Sequence, residues 1–272
     1  MKRLLSIELQ KIWRNRSSRI LTITYFALLG TVALLASVNF NFIGINARLA
    51  DLGIFNFPYI WHFNLFIASY FKFFMAIIIV SMIANEYSYG TLKQNLIDGL
   101  SKKEFVASKF LTILLFAAIS TIFMFIITLI LGYSFSSYNE LSIVFTDLDY
   151  LFAYFIRITA FFSMCLFFGF LIKRSAFAIG FILVWYIIEK ILMQGFRIPG
   201  FLSDLLPLES MYNLTKEPFT RLSAIKNLET VSNNGHEVVR DYGIHLSSIM
   251  IAIVWIVIFL LMSYKLLKKR DL

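Results

Sequence analysis

The chain is organised around residues 85–104, which read NEYSYGTLKQNLIDGLSKKE and are polar although two long apolar runs flank them. Apolar side chains recur in this stretch at helical spacing and are expected to share one face: Leu92, Leu96, Ile97 and Leu100. Gly99 suits a helix end because glycine adopts the left-handed cap without strain, and Ser101 with Glu104 forms a capping box that starts the next helix. The pattern predicts a short amphipathic helix on the membrane surface, although an ordinary cytoplasmic loop with one surface turn fits the same geometry.

The composition places this stretch in a membrane protein. Of the 272 residues, 59% are hydrophobic and only 15% are charged, whereas a soluble domain carries about 25% charged residues. A helix of about 20 residues crosses the hydrocarbon core, and six apolar runs allow such a crossing. They lie at 20–39, 61–84, 110–133, 150–172, 176–194 and 246–264. We therefore predict an all-α integral membrane protein with six transmembrane helices, built as a single domain of residues 1–272.

Basic residues predict the side of the membrane on which each loop lies, because Lys and Arg are enriched in cytoplasmic loops. The first 19 residues, the loop after the second run, the turn at Lys173 and Arg174, and the carboxy-terminal tail are basic, whereas the first loop on the other side has only Arg48. This distribution predicts a multi-pass protein of the plasma (inner) membrane with both termini in the cytoplasm. The net charge of +9 then favours membrane lipids and a cytoplasmic partner over nucleic acid, because the basic residues adjoin apolar runs.

Two further segments have a predicted place. Residues 1–19 are expected to form an interfacial helix, or else a plain positive flank of the first span. The apolar face of that helix consists of Leu5, Leu9, Ile12 and Trp13. Residues 195–245 form the large outer segment, which we interpret as a lid over the outer mouth, the alternative being a disordered linker. A short amphipathic helix is expected in it at Phe219, Leu222, Ile225 and Leu228.

A second pattern overlies the polar stretch: an acidic residue, then Gly-Thr-Leu, then a Ser-Lys pair and a further lysine. The residues concerned are Glu86, Gly90, Thr91, Leu92, Ser101, Lys102 and Lys109. The pattern resembles the loop after the second helix of ABC-2-type ABC transporter permeases, the membrane subunits of type V exporter-like systems. The resemblance implies that residues 85–109 are a coupling loop, whose coupling helix docks into a groove on a separate ATPase subunit, and that residues 1–19 are an elbow helix.

The match is incomplete at Asp98 and Gly99, where many members of that family have a proline before the serine. This departure concerns only the end of the docking helix. The residues that the resemblance and the helical pattern assign to ATPase coupling are Glu86, Gly90, Thr91, Leu92, Leu96, Asp98, Ser101 and Lys102.

The function implied by the resemblance is that of a permease subunit of an ATP-driven ABC exporter, paired with a second permease copy as a homodimer or heterodimer. The sequence has no P-loop motif, so ATP and Mg are expected in the partner subunit and no cofactor is expected in this chain. Its three histidines have no metal-ligand spacing, and the chain itself is not expected to be an enzyme. Two other functions stay open: a membrane-embedded lipid-modifying enzyme, and a non-transporting anchor for a cytoplasmic complex.

Charged residues inside the predicted spans are the remaining signal. Lys72 lies near the middle of the second span, roughly 16 Å from either interface at about 1.5 Å per residue. A lysine at that depth must be deprotonated, paired or facing water. Glu189 is the natural partner, because the predicted spans contain no other carboxylate, whereas Arg157 and Lys190 are expected to reach outward. Lys72 and Glu189 are therefore candidates for the pathway, or alternatively for a structural charge pair that fixes helix packing.

Overall fold

The computed structural model describes residues 2–35, 39–42, 45–48, 53–195, 199–222 and 241–270. All long elements in these ranges are helices, and the only strands that they contain are β1 (Asn39–Phe42) and β2 (Ile45–Arg48), which pair antiparallel. The helices are α1 (Lys2–Arg14), α2 (Arg16–Leu35), α3 (Tyr59–Ala68), α4 (Lys72–Ser88), α5 (Thr91–Ile97), α6 (Lys102–Phe135), α7 (Leu141–Val144), α8 (Asp149–Ile172), α9 (Ser175–Gly195), α10 (Gly200–Ser203), α11 (Pro207–Tyr212) and α12 (Leu246–Lys269).

Five helical segments of the described chain are long and apolar enough to cross a membrane. They are Tyr59–Ser88, Lys102–Phe135, Leu141–Ile172, Ser175–Gly195 and Leu246–Lys269. The first of them joins α3 to α4 through a 3₁₀ turn at Ser69–Phe71. These segments contain the second to sixth apolar runs of the sequence, and they confirm a helical architecture with five helical segments suited to crossing a membrane.

The first apolar run corresponds to α2, which has 20 residues but ends at Leu35. The predicted range of 20–39 is therefore wrong at its outer end, because Asn39 already belongs to β1. At its other end α2 begins earlier than predicted, since the side chain of Asn15 accepts hydrogen bonds from the backbone N–H groups of Ser17 (3.0 Å) and Ser18 (3.3 Å). This cap separates α2 from α1.

Helix α6 also begins before its apolar run. The hydroxyl of Ser101 accepts a hydrogen bond from the backbone N–H of Glu104 (3.2 Å), and the Glu104 carboxylate accepts one from the backbone N–H of Ser101 (3.0 Å). The predicted capping box is thus confirmed. Because Lys102 begins α6 and Ser88 ends α4, the connection between these helices is shorter than the predicted coupling loop of residues 85–109.

Helix α8 lies at the centre of the bundle. It contacts α4, α6, α9 and α12, and its side chains are buried on all sides, as expected for a helix that is hydrophobic all round. Helices α9 and α12 lie outside it and expose apolar side chains, among them Phe177, Ile187 and Val254. The core therefore runs along α8, and the outer helices present apolar surface.

The bundle has two ends, which we call the near end, where α1 and α5 lie, and the far end, where α3 begins. Residues 199–222 pack on the far end. Arg157 donates a hydrogen bond to the carbonyl of Thr215 (2.8 Å), and Trp255 donates one to the carbonyl of Leu205 (2.9 Å). Phe219–Arg221 forms a 3₁₀ turn, and Leu222 ends it. The remaining positions of the predicted amphipathic helix, Ile225 and Leu228, lie outside the described residues.

Candidate functional site

The near end carries α5, the short helix predicted in the polar stretch. It follows Gly90, whose φ of 67° is in the left-handed region. It ends with two hydrogen bonds, from the N–H of Gly99 to the carbonyl of Leu96 (3.2 Å) and from the N–H of Leu100 to the carbonyl of Asn95 (3.0 Å). Together with the φ of 97° at Gly99, these bonds form a Schellman motif. A short helix thus lies in the predicted place and Gly99 follows its end, whereas its position on a membrane surface stays a prediction.

The two faces of α5 differ in burial. Leu92 is 2% exposed, and Leu96 and Leu100 pack against the core of the bundle. Ile97 is 74% exposed, so the expectation that it shares the buried face is wrong. The reason is geometric, because five residues at about 100° each place Ile97 roughly 140° around the helix from Leu92. The outward face of α5 consists of Lys93, Gln94, Ile97 and Asp98.

Glu86, in the last turn of α4, fixes the beginning of α5. One of its carboxylate oxygens accepts hydrogen bonds from the hydroxyl of Thr91 (2.5 Å) and the amide of Asn95 (3.4 Å). The other accepts from the ammonium groups of Lys11 (2.8 Å) and Lys109 (2.7 Å). Glu86 therefore joins α5 directly to α1, α4 and α6.

A second carboxylate completes this ion cluster. Glu8 of α1 accepts a hydrogen bond from Lys109 at 2.6 Å, and it lies 3.8 Å from Lys11. The cluster of Glu8, Lys11, Glu86 and Lys109 balances two carboxylates with two ammonium groups, and three of its members are buried. Buried ions of opposite charge that also form hydrogen bonds hold their elements strongly in place, because removal of one leaves the others uncompensated.

Glu8 was not among the residues predicted from the sequence. It is the sole acidic residue of α1, and it precedes Ile12 by four positions on the apolar face of a basic helix. An acidic side chain on such a face signals a buried partner, and this signal was available in the sequence. Ile12 is buried together with Glu8, whereas Trp13, which was expected on the same face, is exposed.

The carboxy-terminal end of α12 is also fastened to this region. Lys102 donates hydrogen bonds to the carbonyls of Lys268 (3.3 Å) and Arg270 (2.9 Å). The guanidinium of Arg270 donates to the hydroxyl of Tyr87 (3.0 Å) and to the carbonyl of Phe170 (2.6 Å). Lys102 and Arg270 thus tie the ends of α4, α6, α8 and α12 to one another beside α5.

The other predicted residues, Lys72 and Glu189, line one cavity of about 520 Å³. It lies among α4, α8, α9 and α11, and its wall includes the 3₁₀ turn that precedes Lys72. The two side chains line the same cavity, but no ion pair within 4.0 Å joins them in the described chain.

Glu189 has other partners. Its carboxylate accepts hydrogen bonds from the indole N–H of Trp185 (2.6 Å) and from the backbone N–H groups of Leu208 (3.0 Å) and Glu209 (3.3 Å). The ammonium of Lys72 lies over the ring of Phe161, 4.3 Å from its centroid. The direct pair expected from the sequence is therefore not formed, because the first turn of α11 supplies the donors for Glu189.

The comparisons with known proteins identify the family. The model of a family described as a protein of unknown function, DUF2705, matches residues 31–272, and the chain belongs to that family. No curated protein matches the chain.

Proposed function

We propose that this chain is the membrane subunit of an ATP-driven ABC exporter of the ABC-2 type, with six spans and both termini on the cytoplasmic side of the plasma (inner) membrane. The observation that carries the proposal is the attachment of α5 to the bundle. The first residue of α5 is bonded to Glu86, which also joins α1, α4 and α6. A short helix that is attached in this way and has an exposed face can transmit a displacement imposed by a bound partner to these three longer helices. The resemblance of residues 86–109 to permease coupling loops supports the same function.

In this mechanism a cytoplasmic ATPase subunit docks on the near end and carries ATP and Mg. Its contact surface on this chain is the outward face of α5, where Ile97 is surrounded by Lys93, Gln94 and Asp98. Leu92 and Leu96 serve a different role from the one that the sequence suggested first, because they pack inward and keep α5 on the bundle. ATPase closure then moves α5 and the ion cluster together.

Helix α4 transmits the movement from the near end to the cavity. It runs without a break from Ser88 to Lys72, and its 17 residues span about 25 Å at 1.5 Å per residue. The cavity and the 3₁₀ turn of Ser69–Phe71 lie at the Lys72 end of α4. A 3₁₀ stretch inside a longer helix often marks a hinge, so bending at this turn is the step by which the ATPase changes the shape of the cavity.

A second copy of this chain, or a related subunit, completes the transporter in the proposed assembly. The exposed apolar faces of α9 and α12 supply surface for that copy and for membrane lipids. The amino-terminal helix α1 serves as the elbow, and its exposed Trp13 is placed to lie among lipid headgroups.

A cross-linking experiment tests the docking surface. A cysteine is placed at Ile97 in a Cys165→Ser background, and membranes from the native host are treated with a short bifunctional reagent. The proposal expects a P-loop ATPase as the main cross-linked protein. The matched control is a cysteine at Ser137, which is exposed at the far end and is expected to give no ATPase adduct. Equal capture of an ATPase from both positions, or from neither, would overturn the proposal.

A further inference from the structure

The cavity beside Lys72 contains two cations, Lys72 and Arg157, that form no ion pair within 4.0 Å with a carboxylate of the described chain. The guanidinium of Arg157 is almost completely buried, with 4% of the residue exposed. It bonds the carbonyl and hydroxyl of Thr215, which are neutral, and its Nε has no hydrogen-bond partner in the described chain. The ammonium of Lys72 lies over the rings of Phe161 and Phe73 and has no hydrogen bond or ion pair among the described residues.

The carboxylates in the same wall are already engaged. Glu189 accepts hydrogen bonds from Trp185, Leu208 and Glu209. Glu209 lies 3.4 Å from the ammonium of Lys190. The donors to Glu189 are neutral and do not cancel its charge, so the wall carries three basic and two acidic side chains and keeps one net positive charge. The cavity therefore favours an anion.

The remaining wall is apolar and aromatic. It includes Phe73, Phe161, Ile182 and Met193. Two further lining residues, Leu183 and Tyr186, are each 50% exposed on α9, whose outward face is apolar. A cavity of about 520 Å³ is within the range of small-molecule sites, roughly 300–1,000 Å³. The site thus combines a cationic interior with an apolar wall that is open on the side of α9.

We infer that this cavity binds an amphipathic lipid with an anionic phosphate headgroup, placed between Lys72 and Arg157, with its apolar part along α9. A neutral ligand would leave the net positive charge of the cavity uncompensated, and a cationic ligand would add to it. A small hydrophilic anion would leave the apolar wall unused. Assignment of this lipid as the exported substrate rests on the proposed function, whereas its binding to the cavity does not.

A binding experiment that needs no ATPase tests the inference. The full-length chain is purified in detergent, incubated with equal amounts of phosphatidylglycerol and phosphatidylcholine, washed, and analysed for retained lipid by native mass spectrometry. We expect at least a fivefold preference for phosphatidylglycerol. The preference should disappear in Lys72→Met and persist in Lys72→Arg, which keeps the charge. The matched control is Lys265→Met, which removes an exposed lysine of α12 and should leave the preference unchanged.

A second arm replaces the lipid with inorganic phosphate and measures protection of the chain against thermal unfolding. Little protection is expected at millimolar phosphate, because the bare ion cannot use the apolar wall. Lys72-dependent protection by phosphate without a lipid preference would overturn the lipid assignment in favour of a simple anion site. Equal retention of both lipids together with no protection by phosphate, or an unchanged preference in Lys72→Met, would overturn the inference altogether.

The outcomes separate this inference from the proposed function. If phosphatidylglycerol binds in a Lys72-dependent manner but the cysteine at Ile97 captures no ATPase, the lipid site stands and the export function falls. If the ATPase is captured but the lipid preference is missing, the export function stands and the substrate class is wrong.

Discussion

The fully buried ammonium of Lys109 lies 2.7 Å from the carboxylate of Glu86, so the start of α6 is bonded to the end of α4 across the connection that contains α5. The same ammonium also holds Glu8 of α1 at 2.6 Å. One side chain therefore fixes three helices, α1, α4 and α6, at the end of the bundle where α5 lies. The stability of this end depends on charge balance as well as on apolar packing.

Lys109→Met should destabilise the chain strongly. Two buried carboxylates would share the partly exposed Lys11 as their remaining ammonium, and loss of one partner of a buried ion pair costs about 3–5 kcal/mol. The measurement is thermal unfolding in detergent followed by size-exclusion fluorescence. Lys103→Met is the matched control, because Lys103 is exposed in the first turn of the same helix and its loss should change stability by less than about 0.5 kcal/mol. Similar unfolding temperatures for the two variants would contradict a structural role for the cluster.

The buried and outward faces of α5 predict opposite phenotypes. Ile97→Glu should leave thermal unfolding unchanged within about 0.5 kcal/mol, because the side chain is exposed. Under the proposed function it should also lower copurification of the ATPase about tenfold. Leu92→Glu should instead destabilise the near end, since it buries a carboxylate that has no partner. The measurements are unfolding temperature and ATPase recovery for each variant. A stable Leu92→Glu, or an unstable Ile97→Glu, would show that the assignment of the two faces is reversed.

Local signals in the sequence predicted the helix that bears these faces. Gly99, Ser101 and Glu104 act within a few residues of one another, so their roles could be predicted before any tertiary contact was known. The ion cluster could not be predicted in the same way. Glu8 and Lys109 meet only after folding, and no spacing rule links positions that far apart.

The surroundings of Lys72 and Glu189 in the cavity likewise depend on contacts that form only in the folded chain. The depth of Lys72 in its span predicted that this side chain needs a particular environment. The partner of Glu189 was expected on another span. The carboxylate instead accepts hydrogen bonds from backbone N–H groups in the first turn of α11, a helix of six residues at the far end of the bundle. A helix this short has too weak a sequence pattern to reveal that its backbone N–H groups face a carboxylate.

The proposed sidedness predicts a specific labelling pattern. Cysteines are placed singly at Lys103 and Ser137 in a Cys165→Ser background, because both positions are exposed and lie at opposite ends of α6. A membrane-impermeant maleimide added to intact cells should label Ser137→Cys and should label Lys103→Cys only after the membrane is opened. The basic residues of the near end are the physical reason, since they favour the cytoplasmic side. Labelling of Lys103→Cys from outside would overturn the topology with cytoplasmic termini.

The last prediction concerns Glu189 and the attachment of α11. Glu189→Ala removes the acceptor for Trp185, Leu208 and Glu209, and it leaves backbone N–H groups of α11 without a partner. Each unsatisfied buried donor costs about 1–3 kcal/mol. We therefore expect α11 to detach, and limited proteolysis to cut within residues 199–222 at least ten times faster than in the parent chain. Lys72→Met faces the same cavity but bonds nothing in α11, so it should leave the cleavage rate unchanged. Equally faster cleavage of both variants would mean that Lys72 and Glu189 act as one structural unit. A cleavage rate of Glu189→Ala equal to that of the parent chain would mean that the carboxylate does not hold α11.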